Sequence, residues 1–203
     1  MKLTIITPTV LRPSLKRLCD SIDAGNHEDW QHIVIVDDRQ LYMPVDLQDG
    51  RRLWGCSCDN WRAHGNPCRA LAYKWATGDY ITYIDDDNYY TEGALGILVE
   101  AIEKAGCPDW GVFPMLRDGG RFLNPCVGDC CTDNNQIFHK PVIKGIEIRY
   151  IPYDIPSADG KMAQGLQRLS DPRVFGELPE LVAMEEALHG WRPGEDRNLI
   201  WGE

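Results

Sequence analysis

The chain has 203 residues, with 31 acidic against 21 basic side chains and a net charge of −10. This length fits one domain with a full hydrophobic core, and 43% hydrophobic with 26% charged residues excludes extensive disorder. No run of about 18 apolar residues is present, which excludes a membrane-spanning helix. The acidic balance also makes bulk nucleic-acid binding an unlikely use of the surface, because such binding depends on neutralising phosphates. One stretch departs from that balance. Arg51, Arg52, Arg62, Arg69 and Lys74 stand against a single acid, Asp59, and such a local basic loop suits a small anion.

The opening Met1-Lys2-Leu3-Thr4-Ile5-Ile6-Thr7-Pro8 is too short and too soon broken for a signal peptide. It reads as a buried strand over Lys2–Thr7, and the expected location is cytoplasmic. Pro13 opens a helical pattern in which Leu15, Leu18, Cys19 and Ile22 recur at spacings of three and four, stopped by Gly25. His32–Val36 is a second apolar run, rich in β-branched residues, ending in Asp37-Asp38. Residues 39–49 read as loop and Arg52–Trp54 as a short strand. Pro67 starts a helix that Gly78 ends. Tyr80–Ile84 is another buried strand and runs directly into Asp85-Asp86-Asp87. Thr91 is the expected N-cap of a helix reaching Lys104. Trp110–Leu116 reads as a strand, Gly119-Gly120 as a turn, and Gln136–His139 and Arg149–Ile151 as further strands. Asp159–Leu169 and Leu178–His189 are helical in pattern.

Strands alternating with helices over the first 105 residues imply βαβ units and a mostly parallel sheet. Ligands of such sheets bind beyond the carboxyl ends of the strands. Three polar groups fall there: Thr7-Pro8-Thr9, Asp37-Asp38 and the aspartate run. Three adjacent carboxylates raise one another's pKa unless a cation binds. Oxygen ligands favour Mg²⁺ or Mn²⁺, which commonly bind substrate phosphates as well.

Eight cysteines are many for a reduced compartment. Cys56, Cys58, His64 and Cys68 supply four zinc-type ligands, but the tight C-x-C departs from common zinc modules, so ordinary reduced thiols are the preferred reading. The cluster Cys126, Cys130 and Cys131 is weaker.

The segment Gly65-Asn66-Pro67-Cys68-Arg69-Ala70 through Ala76-Thr77-Gly78 to Ile84-Asp85-Asp86-Asp87-Asn88 resembles the core of family 2 glycosyltransferases. Ile5-Ile6-Thr7-Pro8-Thr9 and Ile33-Val34-Ile35-Val36-Asp37-Asp38 match the same family in order and spacing. Ala70 stands where the family usually has asparagine.

The resemblance implies an α/β fold of GT-A type, Rossmann-like, with a central mostly parallel sheet flanked by helices. It implies one domain over 1–203, with a nucleotide-sugar-binding half at 1–105 and an acceptor-side half at 106–203. The implied activity is metal-dependent, inverting transfer of a sugar from a nucleotide-diphosphate donor, most commonly a UDP-sugar, to an acceptor hydroxyl that the sequence does not identify. The implied donor-binding residues are Thr7, Pro8, Thr9, Asp37, Asp38, Arg69, Asp85 and Asp86. Asp87 would hold Mn²⁺ or Mg²⁺, joined by His189 or, as its rival, His139. Asp159, at a helix start, is the expected base, with Asp133 as the alternative. The competing readings are a nucleotide- or glycan-binding module that has lost catalysis and a metal-dependent phosphohydrolase. The latter would need a second set of carboxylates or histidines.

Overall fold

The computed structural model describes residues 1–39, 50–57, 65–117, 121–123, 127, 133–150 and 158–184. A seven-stranded sheet runs through the centre. Its strands are β1 (Leu3–Thr9), β2 (Trp30–Val36), β3 (Arg52–Cys56), β4 (Tyr80–Tyr83), β6 (Trp110–Val112), β9 (Ile137–His139) and β12 (Arg173–Val174). Their order across the sheet is β12-β6-β9-β4-β1-β2-β3. The pairings β1–β2, β2–β3, β1–β4 and β6–β12 are parallel, and β9 is antiparallel to both neighbours. Strands from both halves of the chain therefore complete one sheet.

All seven residues of β1 are buried, as a central strand covered on both faces requires. Alternation sends Leu3 and Ile5 into one core with Leu15, Leu18 and Ile22 of α1 (Ser14–Asp23) and Leu95, Leu98 and Ile102 of α3 (Ala94–Lys104). Ile6 enters the opposite core with Cys68 and Ala72 of α2 (Asn66–Ala72) and Ala163 and Leu166 of α4 (Ala158–Gln167).

A smaller four-stranded sheet has the order β5-β13-β7-β8, with β5 at Asn88–Tyr90, β7 at Met115–Arg117, β8 at Arg121–Leu123 and β13 at Val182–Met184. A hairpin of β10 (Val142–Ile143) and β11 (Ile146–Glu147) stands apart. Among the described residues no helix is long and apolar enough to cross a membrane.

Several sequence expectations change. The strand expected over Trp110–Leu116 is two strands: Phe113-Pro114 interrupts it, so that β6 joins the central sheet and β7 the smaller one. Thr91 does not cap α3. Its hydroxyl donates to the Glu180 carbonyl, and Gly93, at φ 72°, takes the cap position. The helix expected over Leu178–His189 is absent over its described part, where Val182–Met184 pairs with both β5 and β7. Tertiary pairing there overrides a helical pattern. The strand expected at Arg149–Ile151 is not formed at Arg149 and Tyr150, and the earlier residues 142–147 form the hairpin instead. The turn at Gly119-Gly120 lies outside the described residues.

β1 extends two residues further than its sequence pattern, through Pro8 to Thr9. Its β2 ladder continues to Thr9–Val36, but its β4 ladder ends at Ile6–Tyr83. Because Ile6 accepts from Ile84 N and Thr9 from Asp37 N, Pro8 presents its missing N–H on the β4 side, where no ladder bond is needed. The two strands therefore part at their carboxyl ends. This is also where the chain order reverses direction, the position at which open α/β sheets form their ligand crevice.

The tightest approach in the sheet is at Gly111, where a Cβ would meet the Arg173 carbonyl oxygen and lie 2.6 Å from Phe138 Cζ. Gly111→Ala is expected to lower unfolding stability by about 1–3 kcal/mol, measured by chemical denaturation. A wild-type midpoint would contradict this packing.

Candidate active site at the carboxyl ends of β1 and β4

The three aspartates after β4 point to different surroundings. Asp86 is 3% exposed. It accepts from Thr9 Oγ1 at 2.6 Å, from Val10 N at 3.2 Å and from Arg12 Nη1 at 2.7 Å. Burial raises its pKa, while Arg12 and then Thr9 act to lower it. Asp86 thus faces the end of β1, inside the protein, while its flanking carboxylates are partly exposed, Asp85 at 30% and Asp87 at 22%.

Asp85 pairs with Arg69 Nη2 and accepts from Asn135 Nδ2 at 3.1 Å, while its backbone N–H donates to Asn135 Oδ1 at 2.7 Å. Asp87 lies 2.9 Å from Arg12 Nη1 and is 22% exposed. Burial, reinforced by Asp85 and Asp86, pushes its carboxyl from 3.8 up to about 6. Arg12 opposes this rise without cancelling it.

The floor and walls are equally specific. Arg69 is 3% exposed. It donates to Asn66 Oδ1 at 3.1 Å, and its guanidinium carbon sits 5.4 Å from the Tyr150 ring centroid. Gly65, before α2, has φ 75°, and a Cβ there would lie 2.6 Å from Pro8. The turn that launches Arg69 therefore packs on the end of β1. Asp37 is buried at the end of β2 and accepts from Ser57 Oγ at 3.1 Å. Asp38 is half-buried and accepts from Arg39 N at 2.6 Å.

Thr9, Asp85, Asp87, Arg69, Asp37 and Asp38 thus gather around the ends of β1, β2 and β4. Thr7 does not present its hydroxyl to the crevice: the hydroxyl is fully buried and lies 2.9 Å from His32 Nε2. Arg52 Nε donates to His32 Nδ1 at 3.0 Å, so His32 is neutral with its proton on Nε2. Burial, then Arg52, lowers its pKa far below the usual range. The Thr9 hydroxyl is likewise committed, donating to Asp86 and accepting from Leu11 N at 2.8 Å.

His139 is not a metal ligand here. It is fully buried, its Nδ1–H donates to the Lys140 carbonyl at 2.7 Å, and its Nε2 lies 2.7 and 2.8 Å from the hydroxyls of Tyr83 and Tyr73, which also bond each other, so one of them donates to it. Burial lowers it to about 4. His189 lies outside the described residues. Asp159 is in the first turn of α4. Asp133 caps the turn at Asn134–Gln136, its carboxylate accepting from Asn135 N and Nδ2 at 2.9 and 2.7 Å, so it serves Asn135. Of the zinc-type group, Cys58 and His64 lie outside the described residues. Cys68 is buried beside Asp37, its thiol pushed up to about 12, which leaves it protonated.

Two residues that sequence reasoning missed matter here. Arg12 is an isolated cation three positions beyond Thr9, and only the fold brings it to the aspartates. Asn135 lies in a polar run with no strand or helix pattern to place it.

Among the described residues no three His, Cys, Asp or Glu side chains converge to hold an ion by themselves. Asp85 and Asp87 offer carboxylate oxygens, the donor type that suits a hard divalent cation, whose shell phosphate oxygens and water commonly complete.

Comparison with known proteins bears on the family and the fold. Residues 60–156, close to half of the chain, match the family model Glycosyl transferase family 2. No curated protein matches the sequence. Among solved structures, Staphylococcus aureus TarS 1–349 superposes with TM-score 0.73 at 15% identity, covering 91% of this chain and 60% of TarS 1–349. The same protein in complex with UDP-GlcNAc gives 0.72 at 16%, covering 91% and 58%. The mannosyltransferase PcManGT from Pyrobaculum calidifontis, in complex with GDP-Man and Mn²⁺, gives 0.65 at 14%, covering 92% and 56%. The chain therefore spans about three-fifths of TarS 1–349 and of PcManGT, and 37% of the longer TarS chain. The fold is the GT-A fold, as the sequence resemblance implied.

The raised Asp87 carboxyl has a measurable consequence. The folded state binds its proton more tightly than the unfolded state, so the group's contribution to stability falls as pH rises from 3.8 to about 6. Asp87→Asn is expected to raise the unfolding midpoint at pH 7, by on the order of 1–3 kcal/mol, with the gain vanishing near pH 4. Thermal melts across pH check it, and a lower midpoint for the variant at pH 7 would contradict it.

Proposed function

We propose that this chain, with its family 2 glycosyltransferase segment at residues 60–156, transfers a sugar from a nucleotide-diphosphate donor to an acceptor hydroxyl. The observation that carries this reading is the pairing of Asp85 with Arg69 beside Asp87 at the parting of β1 and β4. A sheet of this order offers its ligand crevice at that point. The neighbours crystallised with UDP-GlcNAc and with GDP-Man and Mn²⁺ have the same fold.

The proposed roles follow from surroundings. Asp37 or Asp38, at the end of β2, accepts from the base or ribose. Pro8 and the backbone of Thr7 and Thr9 form the floor beneath the base. Asp85, oriented by Arg69 and Asn135, meets the ribose or donor sugar. Asp86 is a positioning residue, since its carboxylate is occupied by Thr9, Val10 and Arg12. Asp87 is the proposed ligand for Mn²⁺ or Mg²⁺. Such an ion, when bound, supplies positive charge against the developing negative charge of the leaving diphosphate.

Inversion follows from a single displacement. The acceptor oxygen forms its bond to the anomeric carbon as the bond from that carbon to the diphosphate oxygen breaks. The acceptor proton passes to a carboxylate, for which Asp159 at the start of α4 is the candidate. Residues 1–105 supply the donor side in this account, and later segments the acceptor side. A UDP-sugar is the first donor to test, given the UDP-GlcNAc complex of TarS.

Release of nucleoside diphosphate from a panel of UDP-, GDP-, CDP- and ADP-sugars, with Mn²⁺ and with chelator, tests the proposal. One donor should be turned over, and only with metal. Asp87→Asn should reduce turnover by on the order of 10²-fold or more. Asp159→Asn should abolish transfer to an acceptor while sparing donor binding. Unaltered turnover by Asp87→Asn would overturn the metal role, and unaltered transfer by Asp159→Asn would move the base elsewhere.

A further inference from the structure

Arg12 sits where positive charge is most in demand. Its single Nη1 atom is 2.7 Å from Asp86 Oδ1 and 2.9 Å from Asp87 Oδ2, so one guanidinium nitrogen bridges the buried carboxylate and the partly exposed one. The backbone that delivers it is strained. Leu11 has φ 62°, a left-handed conformation that a branched side chain adopts only when its surroundings impose it. The surroundings are explicit: Leu11 packs into the core, its N–H donates to Thr9 Oγ1, and Pro13 follows at the start of α1. The bend turns Arg12 back over the carboxyl end of β4.

We propose that Arg12 is the resident counter-ion of Asp87, and that a divalent cation and Arg12 compete for that carboxylate. This inference rests on the proposed role of Asp87 as the metal ligand. A divalent ion on Asp87 Oδ2 and a guanidinium nitrogen within 3 Å of the same oxygen repel strongly. Metal binding therefore shifts Nη1 off Asp87, leaving it on Asp86. The diphosphate of an arriving donor brings the negative charge that makes both cations tolerable in one crevice. Arg12 accordingly acts as a positioning residue that makes metal binding weak without nucleotide and strong with it. Donor and metal then enter together, and the empty protein keeps Asp87 charge-compensated.

Mn²⁺ binding by calorimetry, alone and with UDP, separates this from a purely structural ion pair. In the wild-type protein Mn²⁺ alone should bind weakly, and UDP should tighten it. In Arg12→Gln, Mn²⁺ alone should bind about tenfold tighter, as loss of a unit charge near the site requires, and the enhancement by UDP should shrink correspondingly. Arg12→Lys, which keeps the charge, should restore weak binding of Mn²⁺ alone. If Arg12→Gln binds Mn²⁺ alone no more tightly than wild type while both bind it with UDP, the competition is refuted and the metal role of Asp87 stands. If neither binds Mn²⁺ even with UDP, the metal-dependent reading falls and this inference with it. Should Arg12→Gln fail to fold, the side-chain ¹⁵N resonance of Arg12 in the wild-type protein decides. It should shift as Mg²⁺ saturates the site, and an unmoved resonance at saturation would overturn the proposal.

Discussion

The carboxylate of Asp86 bonds the loop after β4 to the loop after β1 across the gap where the two ladders end. A buried carboxylate is costly unless it is paired and hydrogen-bonded. Here Thr9 Oγ1, Val10 N and Arg12 Nη1 all converge on it. Removing a partner from such a buried ionic group typically costs about 3–5 kcal/mol, so the arrangement is strongly determined. With Asp86 fixed inward, Asp85 and Asp87 on either side of it are left partly exposed. The central aspartate of the run thereby determines where its two neighbours can act.

The second support lies beneath Asp85. Arg69 is buried, its charge is compensated by Asp85, and it donates to the Asn66 side-chain Oδ1. Tyr150 lies against its guanidinium, and Tyr83 meets Tyr150 edge-on with centroids 5.2 Å apart. Tyr83 and Tyr73 bond each other and His139 Nε2 in one cluster, the His139 tautomer being fixed by the Lys140 carbonyl. A polar layer therefore runs from β9 under β4 to the crevice. Low dielectric strengthens such hydrogen bonds and penalises any that is left unmade. His139 contributes by holding Tyr83 in place, which is why its burial is compatible with a site it never reaches.

The first 105 residues were largely legible because their apolar runs are long and their periodicities unambiguous. β1, β2, β4, α1 and the aspartate run all stand where the pattern places them. Family resemblance added what periodicity could not, namely that Arg69 and Asp85 are donor-binding residues; their pairing is seen only in the fold. The failures share a cause. Val182–Met184 has a helical pattern yet pairs as a strand because β5 and β7 offer edges to it, information held in other parts of the chain. Thr7 looked like a ligand contact because it ends a strand, but its side chain falls on the face occupied by His32. Asp86 was expected among the donor-binding residues, and only the three donors from the β1 loop show its carboxylate to be occupied within the protein. Arg12 and Asn135 carried no local signal, because their importance comes from long-range proximity to Asp86, Asp87 and Asp85.

The central claim is that the parting of β1 and β4, with Asp85 and Asp87 at its mouth, is a nucleoside-diphosphate site completed by a divalent cation. Its most direct test is calorimetric titration of the full chain with UDP, GDP, CDP and ADP, each in Mn²⁺ and each in chelator. The account predicts saturable binding of one nucleotide with Mn²⁺ and at least about tenfold weaker binding without it. Absence of binding by all four in Mn²⁺, or binding indifferent to the metal, would contradict it.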